Sequence, residues 1–240
     1  MSTPDDQQLL SIVTGTSVTT IADVITTMEA IDNLLTGNDG LKWFNLLYLE
    51  VTRQVDRRPP NSWQDATWLT RLDVVFARFY FKAIADSLQN SPNIASSWKV
   101  LFESRFMSGV DRIQFALAGM NAHINHDLAL ALLQTDDELA LVPDINSPEH
   151  NDYEQVNSLL EAELPQALQF LATGIVGELA QDTGTIGRLL AIWNVRAARD
   201  LAWNFADYLR PLTGVGRDVA LAAQDQLTGV IGRSLLQPVP

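Results

Sequence analysis

The apolar residues of this chain recur at the spacing of an α-helix almost throughout. Intervals of three and four residues separate them, and no segment alternates between apolar and polar residues as a half-buried strand does. Helices are predicted over about residues 18–35, 41–55, 62–88, 110–133, 188–209 and 215–236, with a short one around Trp98 and Phe102 and another beginning at Pro148. The pattern predicts one all-α domain over residues 1–240, a bundle of about seven to nine helices around a central buried helix.

Turn and cap residues indicate where these helices begin and end. Glycine in "TGNDG" suits the end of the first helix, and the consecutive prolines of "DRRPP" end the second because proline lacks a backbone donor. Ser62, followed by Asp65, is the predicted N-cap of the third helix. Pro165 is expected to kink or divide the helix that begins at Pro148.

The central helix contains an unusual group of polar residues in the stretch "GMNAHINHDLAL", residues 119–130. At the α-helical rotation of about 100° per residue, His123 and Asp127 lie on one face and His126 lies on the other side of His123. Asn121 and Asn125 form a second pair, roughly opposite. Apolar residues surround this helix in all directions, so its polar groups need partners inside the protein.

Two further helices place a charged residue on an apolar face. Asp73 shares its face with Phe76 and Tyr80, and Arg199 shares its face with Trp203. Buried charges are rarely left without a partner. We therefore expect four side chains from three helices to converge at one site. These candidate catalytic residues are Asp73, His123, Asp127 and Arg199.

Composition narrows the choice of partners. The formal net charge of −13 repels phosphate backbones and anionic lipids, so neither nucleic acid nor a membrane is expected as a partner. The 240 residues include no cysteine, which removes disulfides and thiol nucleophiles and favours an intracellular setting. The start "MSTPDDQQLL" has no signal-peptide pattern, and cytoplasm is the expected location. The sequence does not determine the oligomeric state.

Several segments resemble one family. "LDVVFARFYFKAI", "SSWKVLFES", "GMNAHINHDLALAL", "DYEQVN" and "NVRAARDLAWNFADYL" are similar, in this order, to segments typical of the domain-of-unknown-function family 5995. They extend over residues 72–209. The resemblance implies a helical domain and gives no activity. It favours His123 with Asp127, rather than the two histidines together, as the shared pair of the site, since many relatives have an aliphatic residue at the position of His126. Its polar positions correspond to Asp73, Tyr80, Asn121, His123, Asn125, Asp127, Asp152, Asn157, Arg199 and Trp203.

The polar residues of the central helix, together with Arg199, lead to two hypotheses about an enzyme acting on a small apolar or amphipathic molecule. In the first, one divalent metal ion is held by His123, His126 and Asp127, because imidazole and carboxylate groups four residues apart can chelate an ion. In the second, Asp127 orients His123, which moves a proton, and Arg199 holds an anionic group. The predicted substrate-binding residues are Tyr80, Asn121, Asn125, Asn157 and Trp203.

The alternative is a helical ligand-binding or interaction protein without catalytic activity, in which the buried polar network is structural. A buried arginine and carboxylate can serve only to fix the packing of helices. No Gly-x-Ser-x-Gly, His-Glu-x-x-His or phosphate-loop motif selects a reaction.

Overall fold

The computed structural model describes residues 3–15, 17–173 and 194–238, with side chains for all of these except 162–173. Within these ranges the chain forms helices and no strand, which confirms the all-α prediction. The helices in chain order are α1 (Pro4–Gly15), α2 (Ile21–Leu34), α3 (Gly40–Asp56), α4 (Ala66–Leu88), α5 (Ser96–Ser104), α6 (Arg112–Ala122), α7 (Leu128–Leu139), α8 (Pro148–Thr173), α9 (Val195–Leu209) and α10 (Gly214–Leu235). A 3₁₀ turn covers Pro60–Ser62, and a π-helical segment covers His123–Asp127.

The start of α4 differs from the prediction. Ser62 does not cap the helix but ends the 3₁₀ turn that follows the two prolines. Asp65 is the N-cap, and its side chain accepts a hydrogen bond from the backbone N–H of Trp68 at 2.9 Å. The prolines favour a tight turn before the helix, so the first free backbone donors of α4 lie three residues later than expected.

Three other boundaries also differ. The predicted first helix, 18–35, is preceded by α1, which the sequence reading did not include, because only a few apolar residues mark it. The helix α8 continues from Pro148 to Thr173 without division at Pro165. The predicted helix 188–209 begins at Val195 in the described chain, with Asn194 as N-cap, and residues 188–193 lie outside the described residues.

A continuous helix through residues 112–139 forms the centre of the fold. It consists of α6, the π segment and α7, and every residue from Ile113 to Ala122 is buried. Around it, α3 and α10 pack on α6, while α4 and α9 pack on α7. The approach of α3 is close at Gly119, where a Cβ would lie 2.3 Å from the ring of Phe44. Glycine is therefore needed for these two helices to touch.

The other helices complete the outer layer. The helix α5 packs on α10, α1 packs on α4, α2 packs on α3, and α8 packs on α3 and α9. Among the residues that the structure describes, no helix has the length and apolar character to cross a membrane.

Candidate active site

The π segment changes the local geometry of the central helix. The backbone N–H of Leu128 donates to the carbonyl of His123, an interval of five residues, whereas an α-helix has an interval of four. Single π turns in α-helices occur often at functional sites. Here the wider turn contains both central histidines and Asp127, and the side chains of His123 and His126 both reach the Asp127 carboxylate.

Asp127 lies at the centre of a buried hydrogen-bonded group. Its Oδ2 accepts from Trp98 Nε1 at 2.8 Å and contacts His123 Nδ1 at 2.9 Å. Its Oδ1 contacts His126 Nδ1 at 2.8 Å, and His126 Nε2 lies 3.8 Å from Asp225 Oδ1. An ionised carboxylate can only accept hydrogen bonds, so both Nδ1 atoms carry a proton when Asp127 is charged.

The pKa shifts in this group follow from burial and from these contacts. Burial lowers the pKa of His123, and the hydrogen bond to Asp127 offsets this only in part. For His126, burial also lowers the pKa, but the hydrogen bond to Asp127 and the charges of Asp127 and Asp225 raise it above the ordinary value. Burial would raise the pKa of Asp127, yet the two imidazole hydrogen bonds keep it below the ordinary value. These directions favour the neutral form of His123, the ionised form of Asp127 and the protonated form of His126.

The other ring nitrogen of His123 has no partner. The residue is 2 % exposed, its ring stacks on Phe76 with centroids 3.5 Å apart, and the centroid of the Tyr48 ring lies 4.6 Å from it in an edge-to-face arrangement. No group in the described residues hydrogen-bonds to His123 Nε2, although this atom is buried. Because Nδ1 carries the proton of the neutral ring, Nε2 has a free lone pair.

His123 lines a cavity of about 60 Å³ between α3, α4, the central helix, α8 and α9. Most of its wall is apolar, formed by Phe44, Leu47, Val51, Val55, Met120 and Ile124. Among the described residues of the wall, Asp73 from α4 and Arg199 from α9 have charged side chains. An apolar pocket with a few convergent polar groups is the usual form of a small-molecule site.

Asp73 is half-buried as a residue, but its Oδ2 is inaccessible and has no partner among the described residues. Burial raises the pKa of Asp73 to about 7, while the charge of Arg199 lowers it and that of Asp56 raises it further. The carboxyl group can therefore both accept and release a proton near neutral pH.

Arg199 is held by neutral groups. It is 5 % exposed, its Nε donates to Asn157 Oδ1, and its Nη2 donates to the carbonyl of Tyr153 at 3.3 Å. Its guanidinium carbon lies 4.1 Å from the centre of the Tyr153 ring. These contacts fix the cation at the wall of the cavity.

The structure thus brings some of the predicted residues together. Asp73, His123 and Arg199 line one cavity, Asp127 lies behind His123 and outside the wall, and Asn157 positions Arg199. The sequence reading did not assign Tyr153 or Trp98 to the site, although both contact it. An aromatic residue on an apolar face gives no sequence signal that separates such a contact from ordinary core packing.

Four predicted substrate-binding residues lie elsewhere. Tyr80 is fully buried and its hydroxyl is 3.3 Å from Asn45 Oδ1. Asn121 donates to the carbonyl of Thr228 and accepts from Asn125. Trp203 packs on His150, Tyr153 and Trp68. None of these four lines the cavity: Tyr80, Asn121 and Trp203 contact neighbouring helices, and the Asn125 side chain contacts Asn121 on its own helix.

Asp152, a position that came from the family resemblance, has a structural contact. Its two carboxylate oxygens accept hydrogen bonds from the backbone N–H groups of Gln64 and Asp65, at 2.9 and 2.6 Å. It thereby joins α8 to the segment before α4.

The predicted metal ligands do not fit a metal ion. In residues 3–15, 17–173 and 194–238, no group of three or more His, Cys, Asp or Glu side chains is arranged to hold one. The reason is that both oxygens of Asp127 are directed at protonated nitrogens of His123 and His126. The three side chains satisfy one another, so their lone pairs do not converge on a common point.

The family model decides the relationship of the chain to known proteins. The model of a family of unknown function, DUF5995, matches residues 21–238. The chain belongs to this family. The match includes α2 to α10 and every residue of the cavity wall. No curated protein and no solved structure matches the chain.

Proposed function

We propose that the protein is an enzyme that moves a proton within a small amphipathic molecule bound in the cavity. One observation carries the proposal: in His123, a residue of the cavity wall, the buried ring nitrogen Nε2 has no hydrogen-bond partner among the described residues, while Nδ1 is held by Asp127. A buried acceptor without a hydrogen bond costs about 1–3 kcal/mol, and a bound ligand that supplies the partner would remove this cost.

The roles follow from the protonation states. His123 Nε2 accepts a proton from the bound molecule, and the ionised Asp127 stabilises the imidazolium that forms. Asp73 in its acid form donates a proton to another position of the same molecule. One proton leaves and one arrives, so the product is an isomer, and exchange with water restores both groups.

Arg199 supports the transition state in this proposal. Proton removal places negative charge on the bound molecule, and a fixed cation in an apolar wall stabilises that charge more than it would in water. Since Arg199 is held by Asn157 and Tyr153, it does not need to reorganise during the reaction.

The size of the cavity and the composition of the chain support what we propose about the partners and the location of the protein. A pocket of about 60 Å³ suits small molecules rather than polymers. The net charge of −13 and the lack of cysteine support a cytoplasmic protein that binds neither nucleic acid nor membranes.

Proton transfer can be tested before the natural substrate is identified. A panel of short aldehydes, ketones and carboxylic acids is incubated with the protein in D₂O, and loss of C–H signals is followed by proton NMR. We expect enzyme-dependent exchange for at least one compound, because a base at the cavity exchanges its proton with solvent between turnovers.

The variant His123→Ala should reduce this exchange by at least about 100-fold, the usual contribution of a general base. The matched control is His150→Ala, which removes the histidine that packs against Trp203 outside the cavity. Equal exchange in the parent and in His123→Ala, or no exchange above the buffer rate across the panel, contradicts the proposal. Binding of panel compounds without exchange would favour a ligand-binding protein.

A further inference from the structure

Arg199 is a buried cation without an ion-pair partner in the described chain. Two arginines near it pair with carboxylates, Arg196 with Glu154 at 2.6 Å and Arg210 with Asp136 at 2.7 Å. No carboxylate of the described residues lies within 4.0 Å of Arg199, whose partners are an amide oxygen, a carbonyl oxygen and an aromatic ring. Removing an unpaired charge from water is unfavourable, so the site favours an anion from outside the chain.

Asp73 lies in the same wall but does not neutralise Arg199. The Arg199 charge lowers the pKa of Asp73, yet burial has the larger effect and holds it at about 7. In its acid form Asp73 is a hydrogen-bond donor, and its Oδ2 has no partner among the described residues. Arg199 and protonated Asp73 therefore offer donors to one anionic acceptor in the cavity.

The rest of the wall and the size of the cavity restrict that anion. Most of the described wall offers only apolar contacts, as from Phe44, Leu47 and Met120, and this favours an alkyl group over a second charge. The wall also contains Tyr48 and Thr52, and the Thr52 hydroxyl already donates to the Tyr48 carbonyl. An engineered apolar cavity of roughly 150 Å³ holds benzene. A cavity of about 60 Å³ therefore suits a molecule smaller than benzene.

We propose that the cavity binds a short aliphatic monocarboxylate, with the carboxylate on Arg199 and the alkyl group against α3. Acetate and propionate represent this class. The inference rests on the proposed function, because it names the anionic group by which the substrate of that site is held. Acetate and propionate are probes of this group and not substrates, since moving one proton within either of them regenerates the same molecule.

Calorimetric titration with acetate, propionate and hexanoate tests the proposal. We expect binding of acetate and propionate, weaker binding of hexanoate, and no measurable binding of acetamide or propionamide, which have similar shapes without the charge. The variant Arg199→Gln should weaken propionate binding by about tenfold or more, the usual effect of removing a charged hydrogen-bond donor. The control Arg196→Gln, on the same helix, removes an arginine that pairs with Glu154 and Glu161 outside the cavity.

A measurement on the parent protein keeps the proposal testable if Arg199→Gln does not fold. A carboxylate bound beside Asp73 favours the acid form, so at pH 8 binding should take up close to one proton per propionate. Titration in two buffers with different heats of ionisation measures this uptake, and affinity should fall as pH rises from 6 to 8.5. The charged and titratable groups around Asp73 are Arg199 on α9, His123 on the π segment, and Tyr48, Asp56 and the nearby Arg58 on or beside α3.

The outcomes separate this inference from the proposed function. Equal binding of amides and acids, affinity that increases up to hexanoate, unchanged binding in Arg199→Gln, or binding without proton uptake would each overturn the monocarboxylate proposal. Exchange of protons in an aldehyde or ketone that depends on His123, with no binding of acids, would overturn it and retain the proposed function. Acid binding as expected without C–H exchange would retain the ligand class and contradict catalysis.

Discussion

Replacing Asp73 by asparagine should stabilise the protein at alkaline pH. Asparagine has the shape of the protonated acid but cannot ionise. Burial raises the pKa of Asp73 from the ordinary 3.8 to about 7, so the folded state binds a proton that the unfolded state has lost between these two pH values. Folding stability contributed by this group is therefore present below about pH 4 and is lost as pH rises to about 7.

The magnitude follows from the difference between the two pKa values. They differ by about 3, and each unit corresponds to about 1.4 kcal/mol, which gives an upper figure of about 4 kcal/mol. Because Asp73 as a whole is only half-buried, water screens part of this penalty. We expect Asp73→Asn to raise the free energy of unfolding by about 2–4 kcal/mol at pH 8 and by close to zero at pH 4.

Urea unfolding of both proteins at intervals between pH 4 and 9 measures this difference. Asp218→Asn is the control, since it removes an exposed carboxylate far along the chain on α10 and should give a small, constant difference. A difference between Asp73→Asn and the parent that does not change with pH would refute the reasoning. Lower stability of Asp73→Asn at pH 8 would show that an ion pair with Arg199, rather than burial, controls Asp73.

Four further substitutions, in three experiments, test the site and its surroundings. Leu117→Ala should lower the free energy of unfolding by about 2–5 kcal/mol. His123→Ala should lower it by less, because it also removes a buried nitrogen that has no partner among the described residues, and equal losses in thermal unfolding would indicate a structural histidine. Gly119→Ala should destabilise the protein by about 1–3 kcal/mol through its contact with Phe44, and an unchanged urea midpoint would contradict the close helix packing. His126→Gln should reduce stability most in acid, because the pKa of His126 is raised in the folded state. The stability that this gives is present below the unfolded pKa of about 6.5 and is lost as pH rises through the folded pKa, and NMR titration of the ring should show that the folded pKa is the higher one.

Much of the fold could be predicted because helix formation is encoded locally. Apolar residues at intervals of three and four gave the all-α class, the central helix and the approximate ranges of α2 to α6. The same local geometry gave the contact of His123 with Asp127, since side chains four residues apart on a helix are neighbours. The helix α1 was missed because its few apolar residues give a weak pattern.

The identity of the site could be predicted only in part. Facing directions indicated that Asp73, His123 and Arg199 point inward, and the structure places all three at one cavity. The family resemblance added Tyr80 and Trp203, which point at other helices instead. A facing direction is defined relative to one helix axis, and it does not say which neighbour occupies that side.

The sequence by itself determined most of the helical segments, the burial of His123, Asp127 and Arg199, and that His123 and Asp127 are neighbours. Only the tertiary structure decided that the π turn directs both histidines at one carboxylate, which leaves Nε2 of His123 without a hydrogen-bond partner among the described residues. It also decided that α4 and α9 bring Asp73 and Arg199 to the same cavity without pairing them. The physical reason is that helix propensity and periodicity depend on nearby residues, whereas cavities, burial and pKa values depend on packing between residues far apart in the chain.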